Sequence, residues 1–257
     1  MNINIRVSSD LIMLTLLLGL TQIQPAVLDV KLTVDGVERQ AIVRPSNQGT
    51  KTAPVVFVFH GFTGNAKHAA AAYKLHEAWP EATVVYPQGL EVELLGRKAP
   101  GWQIAPKMQG DRDVKFFDAL LDHLKKNQFA DAKKVFTCGM SNGAIFSYVL
   151  LTERSKDLAG AAPVAGYGAP AFRNAPAKPI LIIHGKGDTL LPISLAERSL
   201  ALAKTNNGAA EKGKEWIPGY TIFTGTKGND VIWHEHAGGH EWPSDASASI
   251  VRFFKSL

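Results

Sequence analysis

The stretch Val135-Phe136-Thr137-Cys138-Gly139-Met140-Ser141-Asn142-Gly143-Ala144 decides how this chain is read. An apolar run enters Gly-x-Ser-x-Gly, and a second apolar run of helical length, residues 144–153, leaves it. A strand that turns sharply into a helix strains the residue at its corner, so small residues two before and two after relieve crowding. Such a turn lifts the Ser141 hydroxyl above a sheet. It also aims a helix N-terminus at the same spot, where backbone N–H groups favour a developing negative charge. Gly-x-Ser-x-Gly alone also fits an ordinary glycine-rich turn; its apolar flanks favour a nucleophile.

Outward from this corner the chain alternates strand and helix signals. Upstream, residues 27–44 hold two strand-like runs around Asp35-Gly36, a hairpin signal. Val55-Val56-Phe57-Val58-Phe59 is a continuous apolar run, as expected of a parallel strand buried on both faces. It ends in His60-Gly61-Phe62-Thr63-Gly64-Asn65, and an alanine-rich helix is expected from residue 66 to about 78, stopped by Pro80. A strand at residues 83–86 precedes a long aperiodic stretch, 90–110, read as a functional loop or lid. Helical spacing returns at Val114, Phe117, Leu121 and Leu124, with Asp111 and Asp113 as candidate caps.

Downstream, strands are expected over residues 158–164 and at Ile180-Leu181-Ile182-Ile183, the latter ending in His184-Gly185-Lys186-Gly187-Asp188. Ser194 is the expected cap of a helix to about residue 204, and residues 205–214 read as surface loop. Strands at 220–224 and 231–236 follow, then Gly238-Gly239-His240-Glu241-Trp242-Pro243 and a last helix with Ile250, Phe253 and Phe254 inward. Alternating strands and helices imply an α/β fold with a mostly parallel central sheet flanked by helices, in a single domain spanning residues 27–257.

Residues 1–26 read as a signal peptide, with Arg6 for charge and residues 11–20 as a short apolar core. Cleavage is expected after Ala26, the alternative being a retained anchor. This makes the expected location secreted or periplasmic, with the membrane involved only in export. The net charge of +5 is scattered, with no Lys/Arg run interleaved with aromatics, so nucleic-acid binding is not expected. The single cysteine, Cys138, allows no internal disulfide and suits a small buried residue.

A serine hydroxyl needs a base to take its proton, histidine serves near neutral pH, and a carboxylate fixes the histidine tautomer. Ser141, Asp188 and His240 stand in the order Ser, acid, His, each in a loop after a strand. His60 and His184 are bound to glycines and read as turn-shaping, while His68, His76 and His123 fall on helices. Asp157 and Asp230 lack the strand-end setting. The set His234, His236 and His240 is the competing reading as zinc ligands, against strand packing for the first two. Oxyanion donors are expected from the Asn142 amide and from the loop after His60, Phe62 first and Thr63 second. Trp102, in the long loop at a strand's carboxyl end, is a candidate substrate-binding face, against a role anchoring its own loop.

The motifs HGFTGN, GW, DRDV, CGMSNGA, IIHGKGD with LLP, and GGHEWP resemble the secreted polyhydroxybutyrate depolymerase-like branch of α/β-hydrolases, related to feruloyl and acetylxylan esterases of carbohydrate esterase family 1. The resemblance runs from about residue 27 to the last helix. It implies an esterase working through an acyl-enzyme, with Ser141 as nucleophile, Asp188 and His240 as partners, and no metal or organic cofactor. Implied substrates are esters, including polymeric ones such as polyhydroxyalkanoates or feruloyl and acetyl esters of polysaccharides. Two features depart from the group: no disulfide is possible, and residues 205–236 are unfamiliar. A serine peptidase on the same fold and an inactive binding protein on a hydrolase scaffold are the other readings.

Overall fold

The computed structural model describes residues 26–48, 53–127, 129, 131, 133–168 and 170–257. The expected signal peptide, but for Ala26, lies outside them. The strands are β1 (Leu28–Val34), β2 (Val37–Arg44), β3 (Val55–Phe59), β4 (Thr83–Pro87), β5 (Leu90–Leu94), β6 (Arg97–Gly101), β7 (Val135–Met140), β8 (Gly160–Val164), β9 (Ile180–Gly185), β10 (Lys214–Ile217), β11 (Tyr220–Phe223) and β12 (Val231–His236). The helices are α1 (Ala66–Tyr73), α2 (Leu75–Ala78), α3 (Arg112–Lys126), α4 (Asn142–Glu153), α5 (Ile193–Asn207) and α6 (Ala246–Lys255).

Among the described residues, ten strands form one sheet in the order β1-β2-β4-β3-β7-β8-β9-β12-β11-β10. The six from β4 to β12 run parallel, and antiparallel ribbons close both edges, β1-β2 on one side and β11-β10 on the other. The central strands are apolar on both faces because each face carries helices. Phe57 and Phe59 join Phe117, Leu120 and Phe146 on one side; Val56 and Val58 join Leu75, Phe136 and Phe254 on the other. Helix α4 is buried almost all round, which explains why its sequence shows no polar face.

Several expectations are corrected. The helix expected over 66–78 breaks at Lys74, which takes a left-handed conformation (φ 47°) between α1 and α2. Neither Asp111, Asp113 nor Ser194 caps a helix through its side chain. Of the stretch 205–214, expected as loop, residues 208–213 are loop, while 205–207 complete α5 and Lys214 begins β10. The largest correction concerns residues 90–110, whose first half is an antiparallel hairpin, β5-β6, turning at Leu95 (φ 53°) and Gly96 (φ 70°). Positive φ at both central positions suits the twist of a two-residue hairpin turn, even with leucine at the first.

The hairpin is fastened at its base. A Cβ on Gly89 would lie 3.0 Å from the Gly101 carbonyl carbon, so only glycine permits this crossing. Thr63 N–H donates to Pro100 O at 2.8 Å, and the Arg112 guanidinium donates to Glu91 O at 2.7 Å. Below it, Asp113 is buried and accepts from Arg39 at 2.8 Å and from Gln103 N–H at 2.9 Å. An ion pair this deep requires the extra hydrogen bonds it finds here. The chain therefore leaves β6 along a fixed path across the carboxyl end of the sheet.

Candidate active site

Ser141 sits between β7 and α4 with φ 56° and ψ −119°, a strained geometry for a non-glycine residue. Its neighbours explain how the corner is tolerated. A Cβ on Gly139 would stand 2.7 Å from the Gly143 carbonyl carbon, and one on Gly143 would run into the Phe59 carbonyl. Ser141 N–H donates to Val164 O at 2.9 Å, which ties the corner to the next strand. Both glycines of the motif are thus steric requirements of the turn.

Asp188 and His240 follow the ends of β9 and β12, which are adjacent parallel strands. Gly185 lets their loops close together over the Gly238-Gly239 pair. A Cβ on Gly185 would collide with both carbonyls of that pair, and Gly187 N–H donates to Gly238 O at 2.9 Å. His240 Nδ1–H donates to Asp188 Oδ2 at 2.7 Å. Asp188 is 5% exposed, and its Oδ1 accepts from the Leu190 and Leu191 amides at 3.0 and 2.8 Å. With Nδ1 so engaged, Nε2 is the His240 nitrogen left to accept a proton.

His184 is buried and donates from Nε2 to Leu191 O at 2.8 Å, with Asp188 Oδ2 3.3 Å away. It shapes the turn that carries Asp188. His60 does the same for its own loop, donating from Nδ1 to Gly61 O and accepting at Nε2 from Gly89 N–H. Burial pushes its pKa down to about 4, so the ring is neutral at pH 7.

Ser141 and His240 line one cavity of about 550 Å³. Its walls are largely aliphatic: Leu94 from the hairpin, Ile104, Met140, Ile145 and Leu191, with Phe62 beside them. Gly61 packs against the corner, and a Cβ there would lie 3.5 Å from Ser141 Cβ. Among the described residues the Phe62 and Asn142 amides donate to no protein acceptor. Thr63, the second-choice donor, is excluded because its amide is spent on Pro100.

Trp102 is not at the cavity, which corrects the expected substrate contact. It is 0% exposed, its indole N–H donates to His60 O at 2.9 Å, and its ring stacks on Phe146 at 5.4 Å. The burial of a large flat ring with its one polar atom satisfied makes it an anchor. The Asn142 side chain holds it from the other side, accepting from Trp102 N–H at 2.7 Å and donating to Trp102 O at 3.0 Å.

His234, His236 and His240 are each drawn to a separate partner. His234 stacks on Tyr220 at 3.9 Å and bonds Gly219 O through Nδ1, while His236 Nδ1 accepts from Gly238 N–H. Among the described residues, no three His, Cys, Asp or Glu side chains gather at ligating distance. Asp230 accepts from Gly225 N–H, far from this dyad in its bonding. Sequence reading missed the hairpin tip, and with it Leu94, Leu95 and Arg97 as cavity residues. A Leu-Gly turn between polar strands offers little signal. His68, an exposed residue of α1, also lines the cavity.

A mostly parallel sheet with a strained serine corner after one strand, and an acid and a histidine after two later ones, is the α/β-hydrolase fold. Within it, the chain belongs to the phospholipase/carboxylesterase family, which matches residues 38–217. The match ends before β12, so His240 rests on the geometry above. The chain is 31% identical over 231 residues to NocK of Nocardia uniformis subsp. tsuyamanensis, which bears the name of an esterase; that covers 74% of this chain and 65% of the relative. It is 27% identical over 168 residues to feruloyl esterase D of Neurospora crassa, covering 62% of this chain and 53% of that one. The chain spans between 15% and 65% of the length of the curated relatives it matches. In structure it is similar to an acetyl xylan esterase from Aspergillus awamori, with a TM-score of 0.70 at 16% identity over 91% of this chain and 100% of that one.

Proposed function

We propose that the protein is a serine esterase that hydrolyses carboxylic esters through an acyl-enzyme. The Asp188–His240 hydrogen bond of 2.7 Å, beside a cavity shared with Ser141, carries this reading. His240 takes the Ser141 proton at Nε2 as the oxygen attacks the ester carbonyl. Asp188 holds the imidazole tautomer and stabilises the imidazolium. The Phe62 and Asn142 amides receive the carbonyl oxygen as it becomes negative. His240 then returns the proton to the departing alcohol, and water attacks the acyl-serine by the same route. No step requires a metal or organic cofactor.

The aliphatic walls suit an acyl group of medium length. Leu95 and Leu190, 86% and 57% exposed, flank the mouth, where they can lie against an apolar chain extending from the cavity. Feruloyl or acetyl esters of polysaccharides are the substrate classes the named relatives favour, and the apolar cavity and mouth suit polyhydroxyalkanoate-type polyesters. Residues 1–26 support export to the periplasm or medium, and no described helix is long and apolar enough to cross a membrane.

A fluorophosphonate probe should label Ser141 alone, and Ser141→Ala should remove both labelling and hydrolysis of para-nitrophenyl acyl esters while keeping the melting temperature. Labelling at another serine, or activity in the variant, refutes the assignment. Methyl ferulate, acetylated xylan, polyhydroxybutyrate and a peptide amide assayed alongside would rank the substrate classes.

A further inference from the structure

Among the described residues, Arg97 is the one arginine or lysine on the wall of the candidate cavity, and no Asp or Glu shares that wall. It opens β6 directly opposite Leu94, so the two project from the hairpin tip on the cavity side. The other cation of the hairpin, Lys98, is spent on Glu91 at 3.1 Å. Arg39, Arg112 and Arg154 likewise each have an aspartate within ion-pair distance. Among the described residues Arg97 has no such carboxylate. Its backbone position is set by the hairpin's fastened base.

We propose that Arg97 selects esters bearing a carboxylate, which it holds at the mouth while the aliphatic wall takes the intervening methylenes. The proposal rests on the esterase reading and narrows it to a substrate class. A guanidinium presents a planar fork that matches a carboxylate with two parallel hydrogen bonds. One cation without a second fixed charge beside it suits a monoanion. The carboxylate can belong to either half of the ester: the acyl half, in the hemiester of a dicarboxylic acid, or the alcohol half, in an ester of a hydroxy acid.

Two matched pairs separate these sources. For the acyl half, mono-para-nitrophenyl adipate is compared with para-nitrophenyl hexanoate. For the alcohol half, 4-hexanoyloxybenzoate is compared with phenyl hexanoate. The readout is the ratio of kcat/KM for the acid to that for its neutral partner. Arg97→Gln is expected to lower this ratio about tenfold in one pair, through KM of the acid. Arg97→Lys, which keeps the charge and loses the fork, should restore part of it, and Lys98→Gln should leave it at the wild-type value. An Arg97→Gln ratio equal to wild type in both pairs overturns the proposal. So does an equal fall in Lys98→Gln, which would mean a diffuse field and no specific contact. Loss of the esterase reading itself would show separately, as failure of the wild type to turn over the neutral esters.

Discussion

Asn142 and Trp102 are joined by a reciprocal pair of hydrogen bonds, 2.7 Å from Trp102 N–H to Asn142 Oδ1 and 3.0 Å from Asn142 Nδ2 to Trp102 O. The residue directly after Ser141 is thereby tied to the segment that leaves the hairpin. Both ends of this link are buried. Asn142→Ala should leave two backbone groups of Trp102 unpaired, at about 1–3 kcal/mol each. A lowered urea midpoint together with a fall in kcat is expected; unchanged stability would show that the link is dispensable.

Trp102→Ala should behave as the loss of a core anchor. Truncating a buried aromatic of this size costs about 3–5 kcal/mol. Melting temperature should drop and all esters should suffer alike, large and small. A selective rise in KM for aryl or polymeric esters at normal stability would return Trp102 to the substrate side.

Asp188→Asn should lower kcat by roughly 10⁴-fold, as removal of the orienting carboxylate does in the serine-protease template. Asn presents an amide where His240 Nδ1–H needs an acceptor, which favours the wrong tautomer. KM should change little. A variant with near-normal kcat would move the carboxylate role elsewhere.

Stability should fall on acidification because of His60. The free ring titrates near 6.5 and the folded one at about 4, the cause being burial. The unfolded chain therefore takes up the proton first, and stability that is complete above pH 6.5 is lost as pH falls towards 4. The window is worth roughly 3 kcal/mol at about 1.4 kcal/mol per unit. Burial also lowers the pKa of His236, which acts in the same direction. Urea midpoints at pH 7 and 4.5 test this, and ring proton shifts of His60 that titrate near 6.5 would contradict it.

The sequence made the addresses of the site legible more readily than its orientations. Gly139, Gly143 and Gly185 are read locally, because each marks a backbone approach that a side chain would block. The strand end before Asp188 is equally local, an apolar run that stops at His184-Gly185, whereas the strand before His240 ends in the polar His234-Glu235-His236. Trp102 lies at the carboxyl edge that its strand-end position implies, yet its ring turns inward because the His60 carbonyl offers its N–H a buried partner. That choice depends on contacts between residues 42 positions apart. The hairpin was hidden by polar strands and a leucine in a positive-φ turn, and the break at Lys74 by the helix-forming residues around it. The strand at Lys214–Ile217 begins with charged residues at an exposed edge, which resembles loop composition.

The position of β10 and β11 outboard of β12 has a consequence for how this chain can be altered. His240 hangs from β12, whose inner neighbour β9 carries Asp188, so the alignment of the two side chains is set across that one strand boundary. The outer ribbon hydrogen-bonds to β12 only from the far side. The turn that joins β11 to β12, exposed at Lys227 and Gly228, lies at the amino end of β12, on the opposite edge of the sheet from His240, which makes it a suitable attachment point for immobilising the protein.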